Sequence, residues 1–166
     1  MAISLIFNET ENYEPRTIFG LLCASYAEIL NMDLEKQFRQ FGQGLFEHPD
    51  TVGACTFITT LGSEIVGMAS YDPRQAPILG IIGHNCILPE YQRKGYGKQQ
   101  ILEVIRRLKS KDVARAIVST SEQPFFEPAH KMYLSCGFTE LERKLKYPHD
   151  FYRTIYYGME LGNVYN

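Results

Sequence analysis

An α/β fold, with a mixed, twisted sheet of about seven strands and helices on both faces, is the architecture this sequence predicts. Three observations carry it. The apolar run at 78–88 reads as a buried strand and leads through a glycine turn into 98–110, where Ile101, Leu102, Val104, Ile105 and Leu108 recur at helical spacing. A further strand-like run at 113–120 follows that helix, and a strand–helix–strand unit demands a parallel crossover. The other strand-like runs are mostly neighbours in sequence, so hairpins complete the sheet with antiparallel pairs. The chain of 166 residues, 45% hydrophobic, suits one domain over 1–166 with a sizeable core.

Each element has its own signal. Residues 2–8 alternate enough for a first strand. Pro15 fits a first helical turn, after which Ile18, Leu21, Leu22, Ser25 and Ile29 share one face. Asp33 is placed to cap a second helix with the stripe Leu34, Phe38, Phe41 and Leu45; Gly42 and Gly44 weaken its end and Pro49 terminates it. Runs at 55–60 and 65–71 flank Leu61-Gly62-Ser63-Glu64 and make a hairpin. A loop at 73–77 leads into the strand at 79–88. Pro124 and Pro128 bracket a loop before a helix whose stripe is Ala129, Met132, Tyr133 and Cys136. Strands at 139–147 and 152–161 close the fold around Pro148-His149-Asp150.

Composition removes several classes of function. Net charge is −2, so no broad nucleic-acid surface is implied. No apolar run approaches the roughly 20 residues that span a bilayer, and the N-terminus lacks a basic targeting segment, which points to the cytoplasm. Cys23, Cys55, Cys86 and Cys136 are widely spaced, form no Cys-x-x-Cys pair and do not cluster with the four histidines, which predicts buried free thiols and no metal site. Charge is unevenly spread: residues 1–78 carry a net −6 and residues 79–166 a net +4. The basic half suits a polyanionic cofactor and the acidic half a cationic acceptor, although Arg106, Arg107 and Lys109 fit a solvated helix face equally well.

The glycine turn reads Gln92-Arg93-Lys94-Gly95-Tyr96-Gly97. Both glycines are expected in a tight loop before a helix N-terminus, whose first amides lack intrahelical partners and carry the positive dipole end. That arrangement can cradle a pyrophosphate. It lacks the Gly-Lys-Ser/Thr ending of a Walker loop and the third glycine of a dinucleotide fingerprint. Taken alone it suits an anion site and a plain turn equally.

With Leu88-Pro89-Glu90-Tyr91 just before it, the spacing Gln-x-x-Gly-x-Gly resembles the acetyl-CoA signature of the GCN5-related N-acetyltransferase (GNAT) superfamily. Downstream, Ala129-His130-Lys131-Met132-Tyr133-Leu134-Ser135-Cys136-Gly137-Phe138 resembles that family's Ala-x-x-x-Tyr-x-x-x-Gly-Phe helix. The resemblance covers residues 79–138. It implies acetyl-CoA as donor cosubstrate, no metal, and direct attack by an amine-bearing acceptor in a ternary complex. It implies that the two parallel strands splay apart, with pantetheine against the edge formed by Cys86, Ile87 and Leu88. Gln92, Arg93, Lys94, Gly95, Tyr96, Gly97 and Lys98 would surround the pyrophosphate.

Acetyl transfer needs a neutral amine, a polarised thioester, a stabilised oxyanion and a protonated leaving thiol. A backbone amide around 85–87 is the expected oxyanion donor. Tyr133 matches the family's tyrosine and is the expected acid, against the plain alternative of a core residue on a helix stripe. Relatives place a glutamate on the strand before the glycine loop, or use a water chain. Here His84 is that strand's titratable group, and it reads equally as a base and as a structural histidine. Relatives also carry an asparagine upstream of the tyrosine helix, where this chain has Phe125-Phe126-Glu127-Pro128. Cys86 invites an acetyl-thiol intermediate, but no basic partner adjoins it. A CoA-binding module without turnover keeps the same loop and is the alternative. The tyrosines 147, 152, 156, 157 and 165 suit an acceptor pocket, a homodimer contact or ordinary sheet surface.

Overall fold

A computed structural model describes residues 3–162. Residue 2 of the expected first strand and Tyr165 lie outside the described residues. The elements are β1 (Leu5–Glu9), α1 (Pro15–Ser25), α2 (Met32–Glu47), β2 (Thr56–Leu61), β3 (Glu64–Gln75), β4 (Leu79–Ile87), α3 (Tyr96–Ser110), β5 (Arg115–Ser121), α4 (Glu127–Cys136), β6 (Thr139–Lys144) and β7 (Thr154–Glu160). The strands hydrogen-bond in the order β1-β2-β3-β4-β5-β7-β6, a seven-stranded mixed sheet. The expected element order and parallel crossover are present: Leu79, Gly80 and Ile81 pair in parallel with Arg115, Ala116 and Ile117.

Two compact units divide the chain. Among the described residues, the first runs up to Ser70 and adds His84–Gln100; the second holds Tyr71–Gly83 and the residues from Ile101 on. In the first unit, α1 and α2 deliver Ile18, Leu21, Leu22, Phe38 and Leu45 onto Ile58, Met68 and Cys86 of the strands. Each such side chain, fully buried, stabilises by roughly 1.5–3 kcal/mol. In the second unit, Ile101, Val104, Ile105 and Leu108 of α3 are buried, as are Ala116, Val118, Ile155 and Tyr157 of β5 and β7. Gly80 permits the helix to approach, since a Cβ there would lie 2.6 Å from the Leu108 side chain.

Several boundaries depart from the sequence reading: β3 continues to Gln75 through part of the expected 73–77 loop, β5 and β7 start two residues late and β6 ends three residues early. The first helix ends at Ser25, and a separate 3-10 turn, Ala27–Ile29, follows. The cap of α2 is Asn31, not Asp33: its side chain accepts the Leu34 N–H at 2.8 Å, leaving Asp33 in the first turn beside the dipole's positive end. Pro128 sits inside the first turn of α4, where a missing N–H costs nothing. Helix α3 starts at Tyr96, so only Gly95 belongs to the loop and Gly97 is a first-turn residue.

Candidate active site

The C-terminal end of β4 is built by strand alternation. The Leu88 N–H donates to the Val66 carbonyl at 2.8 Å, so residue 88 faces β3. Alternate peptide groups of a strand face opposite edges. Asn85 and Ile87 therefore face the edge away from β3, and their carbonyls are held there by side chains. The Tyr26 hydroxyl donates to Asn85 at 3.2 Å, and the Gln92 amide donates to Ile87 at 2.9 Å. Of Cys86, Ile87 and Leu88, only Ile87 directs its N–H toward that outer edge. The Leu88 N–H is committed to the sheet, so any contact of Leu88 with the cofactor would be made by its other atoms.

Beyond β4 the chain makes a 3-10 turn, Pro89–Tyr91, and enters the glycine loop. Tyr91 donates to Glu64 at 2.6 Å and anchors the loop to the start of β3. Two left-handed residues follow, Arg93 at φ 63° and Gly95 at φ 81°. Gly95 lets the chain turn into α3, and its carbonyl accepts the first helical bond, from Gln99 at 3.2 Å. The first turn of α3 contains no acidic residue. Arg93, Lys94 and Lys98 flank it and are exposed. Gln92 is not free to point at a ligand while it holds the Ile87 carbonyl; it braces the loop. Arg106 and Arg107 are both paired with Glu103, at 2.7 and 2.8 Å, and Arg107 is largely buried. Those two therefore support the helix face.

The candidate titratable groups divide between the units. In the first, the His84 ring packs edge-on against Phe38 and Phe41 of α2. Burial lowers its pKa, so the imidazole is neutral at neutral pH. Cys86 points into the apolar core with Ile18, Leu22 and Phe38. Burial pushes its thiol up to about 11, which removes the thiolate that an acetyl-thiol route needs. In the second unit, Tyr133 is 3% exposed and packs against Phe138 and Tyr157. Among the described residues no group of His, Cys, Asp and Glu could hold a metal ion. No helix among them is long and apolar enough to cross a membrane.

Sequence reasoning passed over Gln100. It is 1% exposed, accepts from the Thr59 hydroxyl at 2.6 Å, and donates to the Met68 and Cys86 carbonyls at 2.8 and 3.3 Å. The available signal was a glutamine on the stripe of Gly97, Ile101, Val104 and Leu108, where an apolar residue is expected.

The model of the acetyltransferase (GNAT) family matches residues 17–138. None of the curated proteins matches the chain by sequence. Several solved structures share the fold. A GNAT-family protein from Desulfovibrio desulfuricans superposes with a TM-score of 0.79 at 13% identity, covering 97% of this chain and all (100%) of that one. The ribosomal-protein-S18-alanine N-acetyltransferase of Escherichia coli gives 0.70 at 17% identity, covering 96% and 95%. The yncA protein of Salmonella typhimurium, solved with acetyl-CoA, gives 0.68 at 13% identity, covering 98% and 95%.

Proposed function

The chain belongs to the acetyltransferase (GNAT) family, and on that premise we propose that it acts as one domain, transferring an acetyl group from acetyl-CoA to an amine by direct attack in a ternary complex. The observation that carries this reading is the entrance to α3. A left-handed Gly95, a first turn without acids, and Arg93, Lys94 and Lys98 around it make a fit for a pyrophosphate. The amides from Arg93 to Lys98 would hold the phosphates, and the cations would offset their charge. That relatives such as the yncA protein hold acetyl-CoA supports the same assignment.

The other residues take their roles from position. The outward N–H of Ile87 is assigned as the donor for pantetheine or for the oxyanion, ahead of that of Asn85, which faces the same edge but stands farther from the glycine loop. The expected parting of β4 and β5 belongs to this proposal. Neutral His84 is a base already in the form that accepts a proton, directly or through water. Tyr133 is assigned the proton for the departing thiolate, after the family's tyrosine. The acceptor is an amine, and a cytoplasmic setting is part of the reading. A CoA-binding module without turnover is favoured by one observation, the burial of Tyr133.

Thiol release from acetyl-CoA, followed with a panel of small amines, amino acids and peptide N-termini, tests the proposal. Amine-dependent release is expected for at least one acceptor class. CoA binding without release under any amine would replace the enzyme by the binding module. Failure to bind CoA would remove both.

A further inference from the structure

One side chain of α3 is tied to three neighbouring strands. Gln100 meets Thr59 of β2, Met68 of β3 and Cys86 of β4. The Cys86 contact is unusual for a strand carbonyl. A Cβ built on Gly67 would lie 2.2 Å from the Cys86 oxygen. The Cβ of a strand residue points off the sheet, so this carbonyl leans out of the sheet plane, toward the face that Gly67 would occupy. Gln100 waits on that face: the same Cβ would lie 3.1 Å from its Oε1. Gly67 leaves the room and Gln100 supplies the donor.

The Cys86 carbonyl belongs to the peptide group whose N–H is that of Ile87. The tilt of the one sets the direction of the other, because the peptide is planar. Gln100 also stands one turn after Gly97, on the helix whose first amides face the phosphates in the reading above. The Ile87 side chain closes the triangle, 3.8 Å from a Cβ built on Gly97.

We propose that Gln100 is a positioning residue for acetyl transfer: it fixes the Cys86–Ile87 peptide against the first turn of α3, so that the two ends of one CoA molecule find their amides in register. This rests on the CoA assignment above. An apolar side chain of similar size would fill the space and leave the peptide free to rock back into the sheet.

The test separates the two ends of the ligand. Binding of CoA and of 3′-phosphoadenosine 5′-diphosphate, its nucleotide half, is measured by calorimetry on the wild-type chain, Gln100→Met and Thr59→Val. The nucleotide half meets only the turn of α3. Gln100→Met is expected to weaken CoA about tenfold while sparing the nucleotide, and to lower kcat by more than it raises KM, the scale on which a small misplacement acts. Thr59→Val removes a bond from the same cluster without releasing the Cys86 carbonyl. It should lower thermal stability and leave the ratio of the two affinities at the wild-type value. If Gln100→Met does not fold, Gln100→Glu keeps the shape and the bond from Thr59 but turns a carboxylate oxygen onto the two carbonyls; the same selective loss is expected. An unchanged affinity ratio in the Gln100 variant, or an equal change in Thr59→Val, overturns the inference while the CoA assignment stands. Absence of CoA binding in the wild type overturns that assignment first.

Discussion

The imidazole of His84 meets the ring of Phe41 edge-on, centroids 4.7 Å apart and planes at 62°. Phe38 stands near-perpendicular to the same ring at 5.7 Å. Packing against these rings takes the imidazole out of water, and that burial lowers its pKa.

The consequence for pH follows in sign. Between the lowered folded value and the unfolded value near 6.5, the unfolded chain binds more protons. The stability that neutral His84 supplies is complete above about 6.5 and is lost as pH falls through that window. Thermal melts should therefore decline on acidification from pH 7, less so in His84→Gln. If His84 is also the base, the acid limb of kcat/KM lies below the ordinary imidazole value, and His84→Gln flattens it. A His84→Gln enzyme with the wild-type rate and pH profile would leave the residue a structural role only.

Gly95 and Gly97 separate by conformation. At φ 81° any side chain on Gly95 is strained, although nothing lies within 4 Å of a Cβ there. Gly95→Ala should cost roughly 1–2 kcal/mol, the penalty of the left-handed region. Gly97→Ala should be close to neutral, since its Cβ meets Ile87 at an ordinary 3.8 Å. Glutamate at either position sets a negative charge on the phosphate side, and CoA affinity should collapse in variants whose melts show them folded. Retained affinity in a folded Gly95→Glu chain would move the cofactor elsewhere.

Glu122 fastens the closing hairpin. Its carboxylate accepts from Arg153 at 2.5 and 2.9 Å and from Arg143 at 3.4 Å, and its backbone N–H donates to the Arg153 carbonyl. The Arg153 hydrogen bonds, with help from Arg143, hold the carboxyl down at about 2. Its unfolded value is about 4.3, so the stabilisation is present above that and fades as pH falls toward 2. Glu122→Gln should remove that dependence and speed proteolysis between β6 and β7. Cleavage at the wild-type rate in this variant would show the cluster to be a surface ornament of little energy, as exposed pairs often are.

Periodicity made the order of elements readable, because strand and helix faces here differ sharply, as Phe38 and Leu45 inside and Lys36 and Arg39 outside illustrate. The glycine loop was readable for the same local reason. What escaped was non-local. Asn31 and Asp33 are both good caps, and only the bond to Leu34 decides between them. Gln100 has its partners 14 to 41 residues away, and Leu88 loses its amide to a strand that sequence spacing does not align.

Tyr133 joins a structural ring to the hydroxyl that the proposal assigns to the departing thiolate, and the two can be separated. The ring lies 5.9 Å from Phe138, edge-on, and 6.0 Å from Tyr157, tilted, and only 3% of the residue is exposed. Removing the ring with Tyr133→Ala leaves a cavity and should cost about 3–5 kcal/mol, the range for large aromatic truncations. Tyr133→Phe keeps those ring contacts and removes one oxygen, so the melt should move little by comparison. If the hydroxyl protonates the departing thiolate, thiol release should fall by about 10² to 10⁴, the range for a positioned acid. CoA affinity should hold, because the glycine loop is untouched. The informative measurement is turnover at saturating acetyl-CoA beside a CoA titration of the same protein. Wild-type turnover in folded Tyr133→Phe would return the residue to the core and give the thiolate's proton to water.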